Sequence, residues 1–256
     1  MALEEFKLDG KVAVVTGNGR GVGYALALAL AEAGADVVVA SHTTREGEKT
    51  VEAIRGLGRK AMLIPTDVTK LPEIEGMAKR VLLEFGRIDI LVNSPEVEFA
   101  KPALDMTEEE WHRVMDTNLT SIFLCSKVVG KQMMEQGGGK IINMASGLAE
   151  RGLRNATAYC ASKAGVVLFT KALSLELIPY NIRVNAIGPG WLTDSATAKG
   201  QDALWPIIPM RRRGEPSELG GALVYLASEA SSYMVGETLY IDGGLLPQVD
   251  YTYKPL

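Results

Sequence analysis

Along the chain, short runs of apolar, β-branched residues alternate with longer stretches whose apolar positions recur at helical spacing. The run KVAVVTG (11–17) is nearly continuous and stops at a glycine. VGYALALALAEAG (22–34) follows it as an apolar helix closed by Gly34. The alternation then repeats. Strands are expected at 36–41, 60–68, 88–94, 140–146, 182–190 and 238–244. Helices are expected at 45–58, 71–86, 107–135, 157–179 and 216–228, the third of them long and unbroken.

Strands that are apolar on both sides, each followed by a helix, describe a parallel sheet covered on both faces. Right-handed crossovers make that an α/β fold: a single domain over 1–256, doubly wound (Rossmann), with about seven parallel strands and helices on both faces. No repeat or low-complexity tract interrupts it. The long irregular stretch at 191–215 is expected to be a substrate lid.

Composition narrows the function. Of 256 residues, 47 % are hydrophobic, enough for a large core, and the net charge of −4 speaks against nucleic acid or anionic membranes as partners. No apolar run is long enough to cross a membrane. The opening MALEEFKLDG lacks a basic segment, so no signal peptide is expected. Two cysteines and two histidines, without metal spacing, predict a reduced cytoplasmic protein with no metal.

Candidate chemistry begins at TGNGRGVG (16–23), where the first strand turns into a helix. Gly17, Gly21 and Gly23 suit a tight turn and close backbone approach, and the N–H groups that follow can receive a pyrophosphate. An acidic residue after the second strand would bind a ribose 2′-hydroxyl and repel a 2′-phosphate. Ser41, His42, Thr43 and Thr44 stand there instead, and Arg20 can supply a cation. NADP(H) is therefore favoured, with NAD(H) possible.

In YCASK (159–163), Tyr159 and Lys163 are one helical turn apart. Alone, the pair also fits a surface tyrosine over a lysine stem. It is not alone: Ser146 ends the fifth strand, at the sheet edge where such folds bind ligands, and Asn118 lies in DTNLTS. With Thr16–Gly23, Asp67-Val68, GPGWLT (188–193) and IDGG (241–244), in this order and spacing, the chain resembles the classical short-chain dehydrogenase/reductase family over nearly its whole length. The resemblance implies interconversion of a secondary alcohol and a ketone. Tyr159 would be the general acid/base, Ser146 would hold the substrate oxygen, and Asn118 would bind a relay water. Lys163 would hold the nicotinamide ribose and, with an oxidised nicotinamide, make the tyrosine more acidic. It also implies cofactor contacts at Gly17, Asn18, Arg20, Gly21, Val22, Ser41, His42, Thr43, Asp67, Val68, Asn93, Ser94, Pro95, Pro189, Gly190 and Thr193, beside Tyr159 and Lys163.

One loop departs from the family. Asn-Asn-Ala-Gly is usual after the fourth strand, whereas this chain has Asn93-Ser94-Pro95-Glu96. Pro95 removes an N–H and restricts Ser94. Glu96 brings a carboxylate toward the cofactor path, which is either tolerated loop variation, an altered cofactor grip, or a substrate contact through Glu96 or Glu98. By family position, Leu148, Leu153, Trp191, Trp205 and Met210 line a pocket for an apolar or acyl-type ketone, or else pack on a neighbouring subunit. Leu175 stands where carrier-protein enzymes often have a basic residue, which weakens that substrate reading. The resemblance also implies a homotetramer or dimer, with the tail at 245–256 packing across a dyad, fraying being the alternative for that tail. Two alternatives are an NAD-dependent sugar or polyol dehydrogenase and a non-catalytic nucleotide sensor or scaffold.

Overall fold

Residues Val12–Gly17, all buried, form β1, the strand from which the sheet grows in both directions. The structure is a computed structural model that describes residues 3–17, 21–193 and 207–247. On one side of β1 lie β2 (Asp36–Ala40) and β3 (Ala61–Ile64). On the other lie β4 (Ile90–Ser94), β5 (Gly139–Met144), β6 (Ile182–Pro189) and β7 (Thr238–Ile241). The order is β3-β2-β1-β4-β5-β6-β7, with every neighbouring pair parallel. This is the expected doubly wound sheet of seven strands. The chain reverses its direction of travel between β1 and β4, which opens a crevice at their carboxyl ends.

Alternation along each strand sends side chains to both faces. Val15, Val39 and Val92 pack on one face with Leu26 and Leu30 of α1 (Gly21–Glu32), Ile54 of α2 (Thr44–Gly56) and Leu223 of α7 (Gly220–Ala227). Val14, Val38 and Leu91 pack on the other with Met77 of α3 (Leu71–Phe85) and Cys125 and Val129 of α5 (Ser121–Glu135). Each fully buried Leu, Ile or Val contributes about 1.5–3 kcal/mol, so both layers are held chiefly by this burial.

Several boundaries differ from the sequence expectation; the fifth strand, expected to end at Ser146, already ends at Met144. The long helix at 107–135 is divided. It starts as α4 (Glu108–Met115) from a capping box, in which Glu110 N–H donates to the Thr107 hydroxyl at 3.2 Å and Thr107 N–H to the Glu110 carboxylate at 2.8 Å. It then widens into one π-type turn over Asp116–Thr120, where Ser121 N–H reaches back to the Asp116 carbonyl, before α5 resumes. The third strand stops at Ile64, before Pro65. The seventh stops at Ile241, because the Asp242 carboxylate accepts from Gly244 N–H and Leu246 N–H and turns the chain. Of the expected lid, Leu192 bridges Gly214, and Gly214 N–H donates to the Trp191 carbonyl at 3.0 Å. Residues 194–206 lie outside the described residues, as does the tail beyond 247.

Candidate active site

Tyr159 and Lys163 stand on α6 (Thr157–Leu177), whose first turns lie beside the carboxyl end of β5 and the loop that follows β4. Both are buried, at 8 % and 1 % exposed. A lysine this deep needs partners. Its ammonium donates to the Met144 carbonyl at 3.0 Å, pairs with the Glu96 carboxylate at 3.1 Å, and lies 5.6 Å from the Tyr159 ring centroid. Ser146, two residues beyond the end of β5, accepts from Leu148 N–H at 3.2 Å, and its hydroxyl acts to lower the pKa of the tyrosine. Asn118 sits in the wide turn of the divided helix. Its amide donates to the Ser162 hydroxyl at 3.2 Å, and Ser162 in turn donates to the Tyr159 carbonyl at 2.7 Å. The structure thus brings together all four residues singled out as catalytic. The wide turn, a feature frequent at functional sites, is what aims Asn118 inward.

Glu96 adds a fifth member. The Tyr159 hydroxyl donates to its Oε1 at 2.5 Å. The sequence placed a carboxylate near the cofactor path but gave it no partner, and named Glu96 or Glu98 as a substrate contact. The available signal was a charged side chain where the family has glycine. The neighbours of Glu96 are fixed: Pro95 is buried, and Val97 exchanges two hydrogen bonds with Asn118. Sequence reasoning expected Lys163 to lower the tyrosine pKa. In the structure the tyrosine is pushed well above the ordinary phenol value. Burial is the main cause, followed by the charge and hydrogen bond of Glu96, with a further push from Glu98. Ser146 acts in the opposite sense.

The cofactor candidates divide into those that edge the crevice and those that brace it. Gly17, at φ 112°, pairs with Ser94 across β1 and β4, and a Cβ there would run into the Ser94 carbonyl. Gly21 opens α1 and Val22 packs on the core. Asn18 and Arg20 lie outside the described residues. After β2, Ser41 is buried and its hydroxyl accepts from Thr43 N–H at 3.0 Å, while His42 is exposed. Asp67 accepts from the Thr69 hydroxyl at 2.7 Å and pairs with Lys70 at 3.2 Å. The Thr69 hydrogen bond is the main cause of its lowered pKa. Val68 is buried.

Asn93 is fully buried, and its amide donates to Ser126 and to Asn143, which donates on to Thr170. It ties β4 to α5, β5 and α6. Gly190, following Pro189, donates to the Ile241 carbonyl, and a Cβ on it would overlap Asp242. The Thr193 hydroxyl donates to Glu215 at 2.8 Å. A glycine edge at Gly17, the opening turn of α1, and a β2 terminus free of carboxylates fit a dinucleotide with or without a 2′-phosphate.

Among the substrate candidates, Leu148 is half-buried beside Ser146 and Leu153 is 41 % exposed. Trp191 and Met210 share a small recess with Ile241 and Gly243. Trp205 lies outside the described residues. Among the described residues no cluster of His, Cys, Asp or Glu could hold a metal ion, and no helix is long and apolar enough to cross a membrane.

Comparison with known proteins places this geometry. A family model described as Enoyl-(Acyl carrier protein) reductase matches residues 16–246. The chain is 40 % identical over 253 residues to 2-dehydro-3-deoxy-D-gluconate 5-dehydrogenase of Escherichia coli (strain K12), covering 96 % of this chain and 99 % of that one. It superposes with TM-score 0.92 on a short-chain type dehydrogenase/reductase from Mycobacterium marinum, at 40 % identity, covering 96 % and 99 % of the two chains. It also superposes with TM-score 0.90 on a gluconate 5-dehydrogenase from Burkholderia cenocepacia J2315 in complex with NADP and tartrate, at 33 % identity, covering 97 % and 100 %.

Proposed function

The chain belongs to the short-chain dehydrogenase/reductase family of NAD(P)-dependent oxidoreductases, and from that membership we propose the reaction its residues perform. Tyr159 gives a proton to a ketone oxygen, or takes one from a secondary alcohol. Ser146 holds that oxygen beside the phenol. Lys163 anchors the site through the Met144 carbonyl, and Asn118 fixes the turn and loop that frame it. The nicotinamide cofactor supplies or accepts the hydride. The supporting observation is the convergence of Ser146, Tyr159, Lys163 and Asn118 at the carboxyl edge of the sheet. A nucleotide sensor has no physical need for that set.

NADP(H) is the favoured cofactor. No carboxylate stands at Ser41–Thr44 to repel a 2′-phosphate, and Gly17, Gly21, Val22 and Thr43 border the same crevice. Asn18 and Arg20 complete the phosphate side of this reading. Asp67 and Val68 border the adenine side, and Pro189, Gly190 and Thr193 the nicotinamide side. We read the chain as a single domain with 191–215 as its substrate lid, of which 194–206 lie outside the described residues, and Leu148 and Trp191 support an apolar or acyl-type ketone. A second reading, an NAD-dependent sugar or polyol dehydrogenase, is favoured by the relatives named for gluconate derivatives. Exposed Phe123, Leu168 and Leu175 on α5 and α6 support self-association as a homotetramer or dimer. We place the protein in the cytoplasm.

Calorimetric affinities for NADPH and NADH, followed by a panel of acyl ketones and polyols, test the proposal. Tighter NADPH binding and ketone reduction are expected. Tighter NADH binding with polyol oxidation would replace the favoured reading by the second. Binding of neither cofactor would overturn both.

A further inference from the structure

Glu96 reaches the two atoms on which the proposed chemistry depends. Its carboxylate accepts the Tyr159 hydroxyl at 2.5 Å and pairs with the Lys163 ammonium at 3.1 Å. This is built geometry. Pro95 is buried on one side, and on the other Val97 N–H donates to Asn118 Oδ1 at 2.8 Å while its carbonyl accepts from Asn118 Nδ2 at 3.1 Å. The backbone that carries Glu96 is therefore held at both ends.

We propose that Glu96 is a positioning residue that sets the pH at which Tyr159 passes from proton donor to proton acceptor, keeping the phenol protonated through the neutral and mildly alkaline range. The proposal rests on the reading of Tyr159 as the general acid/base. A lone ammonium beside a tyrosine favours the tyrosinate; an ammonium already paired with a carboxylate offers little net charge. A tyrosinate would moreover face that carboxylate at hydrogen-bonding distance.

Among the described residues, the groups that bear on the phenol are few. The loop after β4 contributes Glu96 and Glu98, α6 contributes Lys163, and the turn after β5 contributes the neutral Ser146 hydroxyl. The wide turn contributes only the neutral amide of Asn118, through Ser162. An arriving ketone oxygen must take over the tyrosine hydrogen bond, leaving Glu96 on Lys163. Hydride then goes to the carbonyl carbon and the phenol proton to its oxygen. Ketone reduction accordingly keeps its rate to higher pH than a site with an unopposed lysine would allow. Alcohol oxidation, which needs tyrosinate, goes on rising with pH over the same range.

The test is the ultraviolet difference titration of tyrosinate in the purified full-length chain, comparing the parent with Tyr159→Phe and Glu96→Gln with the Glu96→Gln/Tyr159→Phe double variant. Gln keeps the shape of Glu96 and removes its charge. Glu96→Gly, the residue usual in the family, is the second variant should Gln reorganise the loop. The Tyr159 signal is expected to appear at least one pH unit lower once the carboxylate is gone, a tenfold change in the ionisation constant. The alkaline limb of ketone reduction is expected to fall by a similar interval. Coincident tyrosinate curves in the parent and both variants would overturn the proposal. A shifted titration with an unmoved rate profile would leave Glu96's hold on the phenol standing, and would overturn instead Tyr159 as the proton donor in turnover.

Discussion

Asn118 and Val97 exchange two hydrogen bonds, Val97 N–H to Asn118 Oδ1 at 2.8 Å and Asn118 Nδ2 to the Val97 carbonyl at 3.1 Å. A fully buried side chain on one element thereby satisfies both polar groups of a residue in the loop after β4. Because Asn118 also donates to Ser162 of α6, it ties that loop to α6, on which the contact of Glu96 with Tyr159 and Lys163 depends.

Replacing Asn118 with Ala leaves the Val97 N–H and carbonyl without those partners. Stability is expected to fall by about 1–3 kcal/mol, read as a lower urea midpoint at unchanged slope. Turnover is expected to fall further than the loss of folded protein accounts for, because the loop is no longer held against α6. Asn118→Ala with the parent's midpoint and rate would contradict this role.

Gly17→Ala tests the crevice edge. The residue sits at φ 112°, and its Cβ would meet the Ser94 carbonyl. An alanine costs more than about 1 kcal/mol where φ is positive, and here it also pushes β1 from β4. A lower melting temperature is expected, with cofactor affinity weakened at least about tenfold, a change worth roughly 1.4 kcal/mol. Unchanged calorimetric affinity in the folded variant would show that the dinucleotide does not pass this edge.

Lys140 gives a pH dependence independent of the chemistry. It is the second residue of β5, at the amino edge of the sheet, is only 6 % exposed, and has Glu229 at 3.8 Å. Burial is the main cause that pushes its pKa down from 10.5 to about 8. Between those values the unfolded chain binds the proton and the folded chain does not, so this site makes stability rise with pH across that window. Below about pH 8 the charged, buried form is a cost of about 3 kcal/mol. Lys140→Met is expected to be more stable than the parent at pH 7 by up to that amount, an advantage that closes as the pH approaches 10.5. Parallel pH curves in urea unfolding would contradict it.

The layers of the fold were legible because both faces of the sheet are covered. VAVV, DVVVA and ILV are apolar without alternation, and a helix follows each. The division of the helix at Asp116–Thr120 was not legible, since a single wide turn adds one residue without disturbing the apolar spacing on either side. The early end of β7 depends on hydrogen bonds from Asp242 to Gly244 and Leu246, which a run of IDGG does not declare. Ser146, Tyr159 and Lys163 could be named from spacing and resemblance because helical geometry puts i and i+4 on one side. Glu96 could be named only as a departure. Whether a loop carboxylate turns toward solvent or toward a buried ammonium is decided by the residues that pin it, here a buried Pro95 and the clasp of Asn118 on Val97.

The most direct measurement is the behaviour of Tyr159→Phe, which removes one oxygen and leaves the ring in place. Calorimetric affinity for NADPH is expected to stay within about threefold of the parent. Reduction of a ketone that the parent turns over is expected to fall by at least about a hundredfold, the scale of general acid catalysis. Turnover within a few-fold of the parent, with binding intact, would contradict the account at its centre, because the proton would then come from some other group.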